Sequence, residues 1–248
     1  MEDIKVYDTC HPEHELVLRN FKKPFNCDGC KEKGFGPRYR CESNDCDYVL
    51  HEKCKFRSET ATHDFYPDCT FEFFYQPFGR CDKKKCKECG TFCNACGKDI
   101  NGFVYHCEDK DLDLHPCCLE LQNKMVINGM KFRLIEKLTS KCIWCKSRSL
   151  KGTSEGGWSY KSKCDQYHFH VYCIKEMMQE SWKTEDRKDE SSLLLKNSDL
   201  RVARRSNGGS SRSRKYWKIV KVFMTAVVAI LLGDPTALLA TTLFNLIT

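Results

Sequence analysis

Cys27-Asp28-Gly29-Cys30 is followed downstream by His51-Glu52-Lys53-Cys54, and these two motifs together indicate the kind of fold that the chain adopts. A Cys-x-x-Cys turn places two thiolates on one metal ion, and a His-x-x-Cys turn adds an imidazole and a third thiolate. Together they form a tetrahedral zinc shell with no position open to a substrate. The same two motifs recur twice, in Cys93, Cys96, His115 and Cys118, and in Cys142, Cys145, His170 and Cys173.

The cysteine content fits metal binding better than disulfide bonding. The chain has 19 cysteines in 248 residues, an odd number interleaved with histidines. Its first residues show no basic segment followed by an apolar run, so we expect no secretory signal. Such a pattern is typical of zinc ligands in a reducing compartment. We therefore expect an intracellular, cytoplasmic protein, with membrane association and the nucleus as alternatives.

Three tandem repeats follow from these ligand sets, at residues 10–63, 64–122 and 123–182. The first repeat has eight candidate ligands, enough for two zinc ions, because it also contains four further residues: His14, Cys41, Cys46 and His63. Short alternating apolar segments between the ligands indicate β-strands, as in residues 15–18. Each repeat is too small to build a large hydrophobic core, so zinc supplies most of its folding free energy.

The second and third repeats have altered second sites. In the second repeat, Cys69 stands where His14 stood, and Cys107 is a further candidate ligand. A counterpart of Cys46 is missing, and Cys81, Cys86, Cys89 or Cys117 could replace it. The third repeat offers only Cys164 and His168, so its second site is incomplete or lost. Three complete shells and one to three further ones predict about four to six structural zinc ions.

Several phrases resemble a known family: His11-Pro12-Glu13-His14-Glu15-Leu16, Gly102-Phe103-Val104-Tyr105-His106-Cys107, Asp113-Leu114-His115-Pro116-Cys117-Cys118 and Tyr167-His168-Phe169-His170-Val171-Tyr172-Cys173. They are similar to the phorbol-ester/diacylglycerol-type zinc finger in its divergent, cysteine/histidine-rich plant form, the divergent C-one family. This resemblance implies small α+β modules, with short strands and a short helix around interleaved sites. In the first repeat, one zinc would take Cys27, Cys30, His51 and Cys54, and the other His14, Cys41, Cys46 and His63.

The resemblance implies intracellular signal transduction, plausibly in plants, without a chemical reaction. It does not extend to the lipid ligand. The groove loop of the lipid-binding members carries a Gln-Gly element, whereas residues 31–40 here are shorter and lack the glutamine. We therefore do not expect the first repeat to bind diacylglycerol.

A basic linker and an apolar tail follow the repeats. The whole net charge of +7 equals the excess of basic over acidic residues within 183–221. Residues 183–215 are polar and are expected to be disordered. Residues 216–248 are apolar and broken at Gly233-Asp234-Pro235, which predicts a hairpin of two short helices. We favour membrane contact through residues 201–248, at the interface or as a tail anchor. The alternative is a packing or oligomerisation element that covers the fingers.

We expect a non-catalytic zinc adaptor with a protein or lipid partner. No Ser/His/Asp set, phosphate loop or pair of carboxylates indicates an enzyme. A nucleic-acid-binding regulator is one alternative, less favoured because the repeats themselves carry no net basic charge. A thiol-disulfide oxidoreductase is the other, since Cys-x-x-Cys also occurs in redox proteins, although there in an α/β setting.

Overall fold

The computed structural model describes residues 10–77, 90–127, 129–150, 157–177 and 222–233. The expected linker at 183–215, the insertion with Cys81, Cys86 and Cys89, and the second half of the tail hairpin lie outside these residues. Within them, eleven strands form three antiparallel sheets, one for each repeat. The expected architecture of small α+β modules is confirmed, and each module places its metal ligands at the ends of its strands.

The first sheet has the order β1-β2-β3, with β1 at Leu16–Asn26, β2 at Lys33–Cys41 and β3 at Val49–Leu50. Its register brings Leu16 opposite Cys41 and is irregular between Phe21 and Phe25. Arg38 holds this irregular segment, because its guanidinium donates to the Phe21 carbonyl at 3.3 Å and lies 4.2 Å from the Phe25 ring centre. Helix α1, Glu52–Lys55, follows β3.

The second sheet has the order β4-β5-β6-β7. Its strands are Thr60–His63, Tyr66–Phe74, Val104–Cys107 and Leu112–Leu114, and helix α2, Pro116–Leu119, follows them. Strand β4 belongs to the first repeat by sequence position but pairs with β5, so the second sheet begins at Thr60. This placement carries His63 away from the first module.

The third sheet has the order β11-β10-β9-β8. Its strands are Lys124–Ile127, Met130–Ile135, Ser159–Ser162 and His168–His170, numbered β8 to β11, and a helix at 171–177 (α3) follows them. The alternation of buried and exposed residues in β8 and β9 leaves one face of this sheet apolar. This apolar face must pack against another element to be removed from water.

A helix at 222–231 (α4) covers this face. It is buried almost all round, and its buried residues are Phe223, Met224, Ala226, Val227, Val228, Ala229, Ile230 and Leu231. Its far end reaches the first module, where Gly233 lies against the ring of His51. The helix thus packs against the fingers, as the packing alternative for the tail required. None of the helices in the described ranges has the length and apolar character needed to span a bilayer.

The three modules dock onto one another through the same contact. The amide of Phe103 donates to the carbonyl of Gly29 at 3.1 Å, and the amide of Trp158 donates to the carbonyl of Ala95 at 2.8 Å. Gly29 and Ala95 both lie inside a Cys-x-x-Cys turn, so each metal turn anchors the next module. The contact is tight, because a Cβ at Gly102 would lie 2.0 Å from the Gly29 carbonyl oxygen.

Candidate metal centres

Each module brings together its three thiols and one imidazole. The ligand atoms of every set lie within 4.8 Å of one another, as the sequence predicted: Cys27, Cys30, His51 and Cys54; Cys93, Cys96, His115 and Cys118; Cys142, Cys145, His170 and Cys173. We call these clusters the first, second and third shells. In all three, the histidine Nδ1 lies 3.4 Å from the second cysteine of the Cys-x-x-Cys turn.

Local backbone geometry explains why these spacings work. In the first shell, the amide of Lys31 donates to the carbonyl of Cys27 at 2.9 Å and closes the Cys-x-x-Cys turn. Lys31 has a left-handed φ of 62°, and Gly97 and Lys146 have similar values at the same place in the other shells. His51 occupies the N-cap position of α1, so Cys54 follows one helical turn later, on the same side as the imidazole.

The pKa values of the thiols in these shells are shifted by burial and by their neighbours. Burial raises the pKa of Cys27, but hydrogen bonds from Cys30 and Cys54 lower it well below its usual range. In the third shell, a hydrogen bond from Cys173 holds the pKa of Cys142 at about 3. One thiolate is therefore favoured, and its charge opposes ionisation of its neighbours. Soft thiolates with one imidazole in a closed set suit zinc rather than magnesium or calcium.

In two of the three shell histidines, the hydrogen bond made by Nε2, the ring nitrogen that points away from the shell, determines which nitrogen faces the metal. His115 Nε2 donates to the carbonyl of Asp99 at 3.2 Å, and His170 Nε2 donates to that of Arg148 at the same distance. Nδ1 is then free to bind zinc. His51 differs, because its Nε2 atom has no hydrogen bond to a backbone carbonyl. Burial lowers the pKa of the ring, but the charges of Cys117, Cys30 and Cys27 raise it well above its usual range. Cys117 therefore lies against a ligand of the first shell.

A fourth cluster in the first module contains His11, His14, Cys41 and Cys46. His14, Cys41 and Cys46 were expected there, and His11 takes the place assigned to His63. His11 Nε2 lies 3.3 Å from His14 Nδ1 and 3.5 Å from Cys46 Sγ. The sequence carried a signal for His11, since His11 lies only three positions before the expected ligand His14, in the phrase His11-Pro12-Glu13-His14.

His63 is not brought to this cluster, because it lies on β4 in the second sheet. Its Nε2 is 2.6 Å from the Leu121 carbonyl oxygen, and its Nδ1 accepts from the Phe65 amide at 3.0 Å. Both ring nitrogens are thus in use, and burial lowers the pKa of the ring. His63, expected as a ligand, is therefore held by hydrogen bonds within the second module rather than in this cluster.

The second-site ligands expected in the other two modules are not grouped into a metal cluster among the described residues; the second module instead brings together His106, Asp111 and Asp113. Cys69 and Cys107, expected as ligands, form a disulfide in the structure. Cys164 is exposed, and His168 bonds the Asp165 carboxylate at 3.0 Å, so these two expected ligands are not brought together. Ser162 explains the difference, because it occupies the strand position that Cys41 and Cys107 hold in the other modules.

Comparison with known proteins agrees with this geometry. Residues 9–55 match the model of the C1 domain family, which confirms the resemblance of the first repeat to diacylglycerol-type zinc fingers. A stretch of 56 residues, 23% of the chain, is 39% identical to "Probable nucleoredoxin 1" of Arabidopsis thaliana. The match spans only 9% of that protein. No solved structure matches the chain significantly.

The first module is thus a C1-type zinc-binding domain by sequence and by site. Four Cys/His clusters could each hold a zinc ion, which agrees with the expected four to six structural ions.

Proposed function

We propose that the protein is a non-catalytic zinc adaptor that presents the surface of its first module to a protein partner. The single observation that carries this proposal is the closure of the three shells, since each is completed by four protein ligands. A catalytic zinc keeps one position for water or substrate. The zinc ions here stabilise the modules, and function belongs to the surfaces between and around them.

An exposed apolar patch on the first module fits a protein partner. Leu18 is 48% exposed and Phe56 is 62% exposed. Tyr39 joins them, because it pairs with Leu18 across the sheet and its ring lies 5.0 Å from that of Phe56. Apolar and aromatic groups clustered at the surface mark interaction sites more often than scattered ones do.

Proximity labelling in cells tests this surface. We expect the double variant Leu18→Ser/Phe56→Ser to lose the main labelled partners while retaining its zinc. Val126→Ser is the matched control, since Val126 is 51% exposed on the third module and should leave the labelling unchanged. An unchanged partner set in the double variant would refute the patch as the binding surface.

Membrane contact of the tail would rest on the basic run rather than on the apolar helix. Residues 201–221 contain eight basic residues and no acidic one, and each contributes about 1 kcal/mol near an anionic surface. Flotation with anionic vesicles should therefore fall when these eight residues are changed to glutamine. Equal flotation of both chains, or none of either, would remove the membrane proposal.

A thiol-disulfide activity is the second candidate, favoured by the similarity to the nucleoredoxin. The described Cys-x-x-Cys pairs all lie in metal shells, so we expect no insulin reduction by the zinc-loaded chain. Activity that disappears in Cys27→Ser/Cys30→Ser but persists in Cys142→Ser/Cys145→Ser would overturn the adaptor proposal in favour of a redox enzyme.

A further inference from the structure

Two charged side chains from different modules, one buried and one partly buried, meet at the second shell. Glu32 comes from the first module, just before β2, and its side chain is 15% exposed. Lys175 comes from α3 in the third module, and its side chain is 3% exposed. They form an ion pair with each other. Burying such a pair costs desolvation free energy, which is offset only where the charges meet further partners.

Those partners are ligands of the second shell. A Glu32 carboxylate oxygen lies 3.4 Å from Nε2 of His115, and Lys175 Nζ lies 3.7 Å from Sγ of Cys96. A carboxylate on the outer nitrogen of a metal-bound imidazole orients the ring and makes it a stronger ligand. The ammonium group offsets the single negative charge of a zinc ion bound by three thiolates and one neutral imidazole.

The other shells are supported differently within the described ranges. His115 and His170 both donate from Nε2 to a backbone carbonyl of their own module, that of Asp99 and that of Arg148, but only His115 is also approached by a carboxylate from another module. His51 has no hydrogen bond from Nε2 to a backbone carbonyl. The second shell is thus the one that draws charged side chains from both of the neighbouring modules.

We propose that Glu32 and Lys175 are positioning residues of the second zinc centre, which reaches full affinity only when all three modules are docked. The proposal requires zinc in the second shell but does not depend on partner binding. It makes this centre a sensor of module docking, because separation of either neighbour removes one of its supporting charges.

Chelator competition on the full chain, followed by native mass spectrometry, tests the proposal. We expect Glu32→Gln and Lys175→Met each to weaken one zinc site about 10–100-fold, the usual effect of removing such a supporting group. Alkylation mapping should then show Cys93, Cys96 and Cys118 as the first thiols released. Lys175→Arg should retain most of the affinity because it keeps the charge.

Glu176→Gln is the matched control. Lys98 and Glu176 form an ion pair at 2.6 Å between the second and third modules, and neither is among the shell ligands. This variant should keep wild-type affinity at every site. The proposal is overturned if Glu32→Gln releases zinc as the wild type does, if the control weakens the same site equally, or if the released thiols belong to another shell. Should the methionine variant not fold, Glu32→Gln and Lys175→Arg decide the question.

Discussion

The ring of Phe223 lies flat on that of Phe132, with centroids 3.9 Å apart and planes 10° from parallel. Tyr160 meets the same ring edge-on, at 5.1 Å. Phe223 comes from α4 and the other two from the third sheet, more than 60 residues earlier in the chain. The apolar tail helix is therefore part of the core of the finger array.

Replacing Phe223 with alanine should destabilise the protein by about 3–5 kcal/mol, the usual effect of removing a buried aromatic ring. Denaturant unfolding with saturating zinc measures this free energy. Thr225→Ala, at a half-buried position of the same helix, should have a much smaller effect. Equal effects of the two variants would mean that α4 does not dock on the third sheet in solution.

Changing His11 to alanine should remove one zinc ion from the full chain, whereas His63→Ala should remove none. The reason is geometric, since His11 lies within the fourth cluster and His63 hydrogen-bonds Leu121 and Phe65 instead. His63→Ala should still lower stability, because it leaves a buried carbonyl without its partner. Zinc counting by native mass spectrometry separates the two variants. The reverse pattern would restore the ligand set that the family resemblance implied.

Changing Cys69 to serine should leave the zinc count unchanged, because Cys69 is bonded to Cys107 rather than placed in a metal cluster. The change should expose one new thiol, at Cys107, to alkylation of the denatured, unreduced chain. Cys41→Ser in the first module is the contrasting variant and should remove the zinc of the fourth cluster. If Cys69→Ser also removed a zinc ion, the pair would be a metal site after all.

Changing Gly102 to alanine should separate the first and second modules. Its Cβ would lie 2.0 Å from the backbone oxygen of Gly29, so the docked backbones must move apart, at a cost of about 1–3 kcal/mol. Gly129→Ala is the control for a glycine substitution, since nothing lies within 4 Å of its Cβ and only its φ of 75° is unfavourable. Protease cleavage between the modules should increase in Gly102→Ala but not in the control.

The ligand pattern predicts the metal shells whose residues lie close together in sequence, but it does not predict contacts between residues that are far apart in the chain. The three shells follow from Cys-x-x-Cys and His-x-x-Cys turns, whose geometry is set within a few residues, and the structure brings all twelve ligands together as expected. His63 could not be placed from its spacing, because its position depends on β4 pairing with β5. The family resemblance implied that His63 is a ligand of the first module, but the pairing of β4 with β5 places His63 in the second sheet.

The packing of α4 could not be predicted from its sequence either. The apolar run next to a basic run predicts membrane contact, and that prediction stands. That the apolar run also packs in a core depends on the apolar face of the third sheet, and that face forms only when β8 to β11 assemble. The contact of Glu32 and Lys175 at the second shell could not be predicted from the sequence either, since these residues are 143 positions apart.

Zinc counting on the intact, folded chain tests the central claim most directly. If the protein is an array of zinc-built modules, native mass spectrometry should find at least four zinc ions per chain. Their removal by a chelator at neutral pH should abolish the sheet structure measured by circular dichroism, because metal binding supplies the folding free energy. Three ions or fewer, or a chain that keeps its fold without zinc, would contradict the account.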